Sequence, residues 1–116
     1  MNKITLITLT LCTVLWTPTT WADPGGSCHF HGKKPAAEAT VSGCALQRKD
    51  TLVKTGKLDA AWTAIKPTTI ETIDGKKGKE WKVAFKDPSA KDPSKATLYM
   101  FFTLPGNFIA ANFTGQ

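Results

Sequence analysis

The chain has 116 residues, 41% apolar and 21% charged, with 9 Gly, 7 Pro, 3 Cys and a formal charge of +6 at pH 7. These values describe an ordinary globular sequence and exclude disordered, collagen-like and knottin-like classes. The length holds one small domain and excludes a large multidomain enzyme.

Lys3 gives a positive start, Ile4 to Trp16 is a nearly continuous apolar run, and Thr20-Trp21-Ala22 precedes an abrupt change to Asp23-Pro24-Gly25-Gly26. That order predicts a secretory signal peptide over residues 1–22, cut after Ala22. A membrane anchor fits less well, because spanning a bilayer takes about 20 consecutive apolar residues and this run is shorter and diluted by threonine. The expectation is therefore an exported protein, periplasmic or secreted, with no membrane span after cleavage.

Removing the leader leaves 14 basic and 9 acidic side chains, so the mature chain stays basic. Arg48 is its only arginine. The planar forks that read phosphates and guanine edges are nearly absent, so nucleic acid is not an expected partner. The lysines, Lys33, Lys34, Lys49, Lys54, Lys82 and Lys86 among them, read as solvated faces. They favour solubility and could also meet an anionic envelope component.

Residues 23–35 contain Pro24, Gly25, Gly26, Gly32 and Pro35 with no periodic pattern, which predicts a flexible N-terminal arm. Residues 36–116 form the single domain. Ala36 to Thr55 is rich in helix formers, with Val41, Ala45, Leu52 and Cys44 at spacings of three, four and seven. Gly56, flanked by Lys54 and Lys57, is the expected stop. Asp59 can cap a second short turn carrying Trp62 and Ile65, closed by Pro67.

Beyond Pro67 the period changes to two. Thr68 to Asp74 is β-branched, Gly75 to Lys79 is a polar turn, and Trp81, Val83 and Phe85 then alternate with Lys82, Ala84 and Lys86. After the loop that uses Asp-Pro-Ser twice, Ala96 to Thr103 and Asn107 to Phe113 read as a hairpin through Leu104-Pro105-Gly106-Asn107. Facing Leu104 with Asn107 would pair Phe102 with Ile109, Met100 with Ala111 and Leu98 with Phe113, an apolar face for the helix to cover. The opposite face would carry Tyr99, Phe101 and Phe108 beside Lys82 and Lys86. The expected fold is α+β: an N-terminal helix and a short second helix on one face of a three- or four-stranded antiparallel sheet.

Cys28 and Cys44 are the only cysteines left after cleavage, and in an exported chain an even pair reads first as a disulfide. The competing reading takes Cys28-His29-Phe30-His31 as a copper or zinc clip, in which thiolate and imidazole are suitable ligands and extended backbone puts His29 and His31 on one side. A disulfide would remove the thiolate and leave two imidazoles, fewer than the three or four ligands of a stable site. No catalytic residues are expected, because the only histidines sit on the arm and the glutamates Glu38, Glu71 and Glu80 fall in separate elements. Asn112-Phe113-Thr114 matches a glycosylation acceptor and is read as chance.

Leu52 to Trp62, Glu80 to Phe85, Thr97 to Phe102 and Ile109 to Gly115 resemble a family of small exported bacterial proteins of unknown function, whose members commonly carry a histidine-rich arm. The helix-before-strands layout is similar to PepSY-type periplasmic domains. The resemblance implies no catalytic residues.

The functional expectation is a non-enzymatic exported binding or interaction module using Tyr99, Phe101, Phe108, Lys82 and Lys86. Its partner would be a protein, an anionic envelope component or a second copy of the chain. Cover of that face by the arm carrying Phe30 or the turn carrying Trp62 is the bland alternative. The other functional reading is copper or zinc binding through His29, His31 and Cys28.

Overall fold

The computed structural model describes residues 28–116. The expected leader and the start of the arm lie outside the described residues.

Helix α1 spans Glu38–Lys54 and buries Val41, Cys44, Ala45 and Lys49, which recur at the spacings of one helical face. Gly43 weakens propensity without opening a hole, because nothing lies within 4 Å of where its Cβ would stand. The helix stops at Gly56, whose φ of 77° needs no Cβ to be tolerated. The Gly56 N–H donates to Val53 O at 3.1 Å and the Lys57 N–H to Leu52 O at 2.9 Å, the two bonds of a Schellman cap. Asp59 then caps the 3-10 turn Ala60–Ala64, its carboxylate accepting from the Ala61 N–H at 3.2 Å. Trp62 in that turn is buried, with the Phe113 ring 6.2 Å away.

Four strands follow: β1 Pro67–Gly75, β2 Gly78–Lys86, β3 Thr97–Thr103 and β4 Phe108–Asn112. They form one antiparallel sheet in the order β1-β2-β3-β4, a meander in which sequence neighbours are also spatial neighbours. The architecture is the α+β layout expected, one helix on a four-stranded antiparallel sheet, with the short second helix present as a 3-10 turn. Between β2 and β3, Trp81 faces Phe102, Val83 faces Met100 and Phe85 faces Leu98. These side chains meet Val41, Cys44 and Ala45 of α1 in the core, with Trp81 at its margin. Alternation on β2 and β3 thus supplies the sheet half of the core, and α1 supplies the other half.

The repeated Asp-Pro-Ser builds two copies of one local motif. Asp87 Oδ1 accepts from the Ser89 N–H at 2.9 Å and its hydroxyl at 2.8 Å; Asp92 Oδ1 accepts from the Ser94 N–H at 3.0 Å and its hydroxyl at 2.6 Å. Each aspartate mimics a backbone turn, which is why a loop this polar is ordered. The Ser94 hydroxyl, and then the Ser94 amide, hold the Asp92 carboxyl below its usual range.

The β3–β4 hairpin differs from expectation by one residue at its tip. The turn closes through the Gly106 N–H to Thr103 O at 2.8 Å, and Thr103 rather than Leu104 pairs with Asn107, its N–H donating to Asn107 O at 2.7 Å. A three-residue loop therefore replaces the two-residue one, with Gly106 at φ 108° supplying the left-handed residue. Phe102 then faces Phe108, and a bulge restores the expected register by Phe101↔Ala110, Met100↔Ala111 and Tyr99↔Asn112. The residue absorbed by the bulge is Ile109.

That single offset exchanges two side chains. Phe108 turns to the helix side, its ring 5.7 Å from Phe102 and beneath the Arg48 guanidinium at 3.9 Å. Ile109 turns out and is 45% exposed. Phe108 is thus withdrawn from the expected outer surface, because a two-residue turn at Pro105-Gly106 would splay the strands and the longer loop avoids this.

Lys49 also departs from expectation. It occupies the helix-face position between Ala45 and Leu52 and is 1% exposed instead of solvated. Its ammonium donates to Thr63 O at 3.0 Å and also to Ile65 O, and lies 3.8 Å from Asp50. These carbonyls end the 3-10 turn and its exit, so the lysine satisfies acceptors that the short turn leaves open. Burial pushes its pKa below the usual lysine value, partly opposed by Asp50.

Candidate functional site

The arm is tied down over its described stretch. Cys28 is bonded to Cys44 of α1, their Cα atoms 5.8 Å apart. Asn107 reads the Phe30 backbone as a strand would, its Oδ1 accepting from the Phe30 N–H at 2.7 Å and its Nδ2 donating to Phe30 O at 2.8 Å. The Ala36 N–H donates to Leu104 O at 2.9 Å. Gly106 is required here for a second reason, since a Cβ would lie 3.0 Å from the Phe30 ring. The same turn that shifts the hairpin register is therefore the seat of the arm.

His29 and His31 are exposed, with ring centroids 4.9 Å apart in an edge-on arrangement. The structure brings these two expected ligands together. It engages the third, Cys28, in the disulfide, so the sulfur is not a thiolate in this form. Among the described residues, no group of three or more His, Cys, Asp or Glu is placed to hold a metal ion. His29 lines a cleft of about 240 Å³ beside the disulfide, together with Arg48 and Phe108.

On the sheet face away from α1, Tyr99 and Phe101 stand as expected and are joined there by Lys82 and Lys86. The strand register sets this side: Lys82 faces Phe101 and Ala84 faces Tyr99, one residue out of phase with the core pairs. The Lys82 ammonium sits 4.9 Å from the Tyr99 ring and 5.9 Å from the Phe101 ring, a cation over two negative ring faces. Phe101 is only 5% exposed. Neither Phe30 nor Trp62 provides the cover, since both pack against the core cluster on the helix side. Part of it comes from the C-terminal tail, which Asn112 folds back by accepting from the Gly115 N–H at 2.8 Å and donating to Gln116 O at 2.7 Å. Gly115 then lies so close that a Cβ would be 3.3 Å from both the Tyr99 ring and the Lys82 ammonium.

What remains open lies toward the hairpin end of this face. A groove of about 820 Å³ is lined by Ile73 of β1, Phe101 and Ile109, by Lys33 of the arm, by Lys76 and Lys77 of the β1–β2 turn and by Lys79 at the start of β2. Asp74 and Glu80 also line it. Lys79 is paired with Asp74 at 3.7 Å, whereas Lys33, Lys76 and Lys77 have no acid within ion-pair distance among the described residues. The groove has an apolar floor and a basic rim, a combination that suits a ligand with one apolar and one anionic part.

Sequence reasoning placed Tyr99, Phe101 and Lys82 on one outer sheet face, as the register has them, but did not place Ile109 and the turn lysines together there. The alternation rule had assigned Ile109 to the core, and only the bulge turns it out. Lys76 and Lys77 were legible as a polar turn; their position over an apolar floor required the fold of β1 against β3 and β4.

Residues 1–116, the whole chain, match the family of unknown function DUF6488, and the protein belongs to that family. Neither a curated protein nor a solved structure matches it. No helix among the described residues is long and apolar enough to cross a membrane.

Proposed function

We propose that this member of the family is an exported, non-enzymatic binding module whose site is the groove on the outer sheet face. The observation that carries the reading is Ile109, a large apolar side chain held 45% exposed by a bulge, above a buried Phe101 and beside lysines. A bulge that re-aims one side chain into a groove is a feature commonly found at binding surfaces. Export is supported by the leader pattern of residues 1–22 and by the disulfide, a bond that persists in oxidising compartments. The helix-before-strands order similar to PepSY-type domains fits the same compartment.

The direct test is titration with 8-anilinonaphthalene-1-sulfonate, an apolar anion whose fluorescence rises on transfer from water. Saturable binding at one site is expected, weakened at least about tenfold by Ile109→Asp, which places a carboxylate in the apolar groove. Saturable binding that Ile109→Asp leaves unchanged would place the site elsewhere, and no saturable binding would remove the reading's support.

A second reading is favoured by the 4.9 Å approach of His29 and His31. Two imidazoles so placed can share one copper or zinc ion, with water or backbone completing the shell. Stoichiometric uptake of Cu(II) or Zn(II) that disappears in His29→Ala/His31→Ala is expected on this reading; absence of uptake by the disulfide-bonded protein would reject it.

A further inference from the structure

We infer that the groove takes a single-chain anionic amphiphile of the fatty-carboxylate class, bound as a free monomer. This deepens the proposed function and rests on it. Three observations narrow the occupant. The volume of about 820 Å³ lies within the range of small-molecule sites, about 300–1,000 Å³. The floor is aliphatic and aromatic, from Ile73, Phe101 and Ile109, and offers an acyl chain surface to displace water from.

The rim supplies the charge. Among the described residues, Lys76 and Lys77 on the β1–β2 turn and Lys33 on the arm have no acid within ion-pair distance, and they outnumber Glu80, the side-chain acid of the lining that likewise pairs with none of those residues. All are lysines, compact point charges on flexible stems that pair with a carboxylate without demanding two-pronged geometry. A protein partner is disfavoured by the same surface. Interfaces between proteins are anchored by exposed Trp, Tyr and Arg clusters, and Ile109 is the large apolar residue exposed among the described ones.

Isothermal titration of the purified protein with oleate, below its micelle concentration, tests the inference. One-to-one saturable binding is expected, weakened at least about tenfold by Ile109→Asp and severalfold by Lys76→Gln/Lys77→Gln, and falling as salt is raised. Oleyl alcohol, with the same chain and no charge, should bind at least about tenfold more weakly. Absence of saturable oleate binding, equal affinity for the alcohol, or affinity indifferent to Ile109→Asp would each overturn the inference. Binding to phosphatidylglycerol vesicles in preference to monomeric oleate would overturn it in favour of a membrane surface. If the naphthalene dye saturates the groove and oleate does not, the amphiphile falls and the binding-module reading stands; if neither binds, both fall.

Discussion

Lys49→Ala is expected to destabilise the domain by about 3–4 kcal/mol. Two hydrogen bonds from a charged donor contribute about 1.5–3 kcal/mol each, and the alanine leaves a gap, while relief from burying a charge offsets part of the loss. Both Thr63 O and Ile65 O lose their donor, and with them the 3-10 turn loses its tie to α1. Lys49→Met keeps most of the stem's packing and should lose about 2 kcal/mol. Urea unfolding followed by tryptophan fluorescence and far-ultraviolet circular dichroism reads both values. A loss below about 0.5 kcal/mol for the alanine variant would show that the ammonium is solvated, as for an ordinary surface lysine.

The lysine also carries a pH signature. Desolvation lowers its pKa in the folded chain, so the folded form releases the proton at a lower pH than the unfolded form. Between that lowered value and 10.5, the unfolded chain binds more protons, and the contribution of this group to stability rises with pH. Below the window both states are charged and the desolvation penalty is constant. The stability gap between the natural protein and Lys49→Met should therefore widen as pH climbs through the window.

Replacing both Cys28 and Cys44 by alanine is the second large effect. The bond closes a segment with a sequence separation of 16, for which the chain-entropy account gives about 3 kcal/mol. For a domain of this size that is a fall in Tm on the order of 10–20 °C. The bonds of Asn107 to Phe30 remain when the disulfide is gone, so the arm should stay seated in the cold and release before the sheet on warming. Calorimetry gives the total, and hydrogen exchange at the Phe30 amide reports the arm. A Tm unchanged by the double replacement would show that the disulfide adds nothing to the stability of the fold.

The element order was readable from local chemistry, because each boundary has a cause within a few residues. Gly56 stops α1, Asp59 caps the next turn, and the alternation of Trp81, Val83 and Phe85 gives β2 a core face. Two features were not readable, and both depend on residues remote in sequence. Lys49 looks like one more surface lysine until Thr63 O and Ile65 O are known to face it. Pro105-Gly106 suits a two-residue turn, but Asn107 is also bound to Phe30, and Gly106 must leave room for that ring. The resulting one-residue offset takes Phe108 out of the outer face and puts Ile109 in its place. The site was therefore legible as a face and illegible as a groove.

The outward turn of Ile109 is what makes a groove of that face, and cross-strand nuclear Overhauser contacts in the natural protein test it most directly. Backbone contacts pairing Phe102 with Phe108 and Phe101 with Ala110, together with an Ile109 methyl signal broadened by a soluble paramagnetic probe, are the expected result. Contacts pairing Phe102 with Ile109, and a Phe108 ring beside Lys82 rather than beneath Arg48, would contradict it.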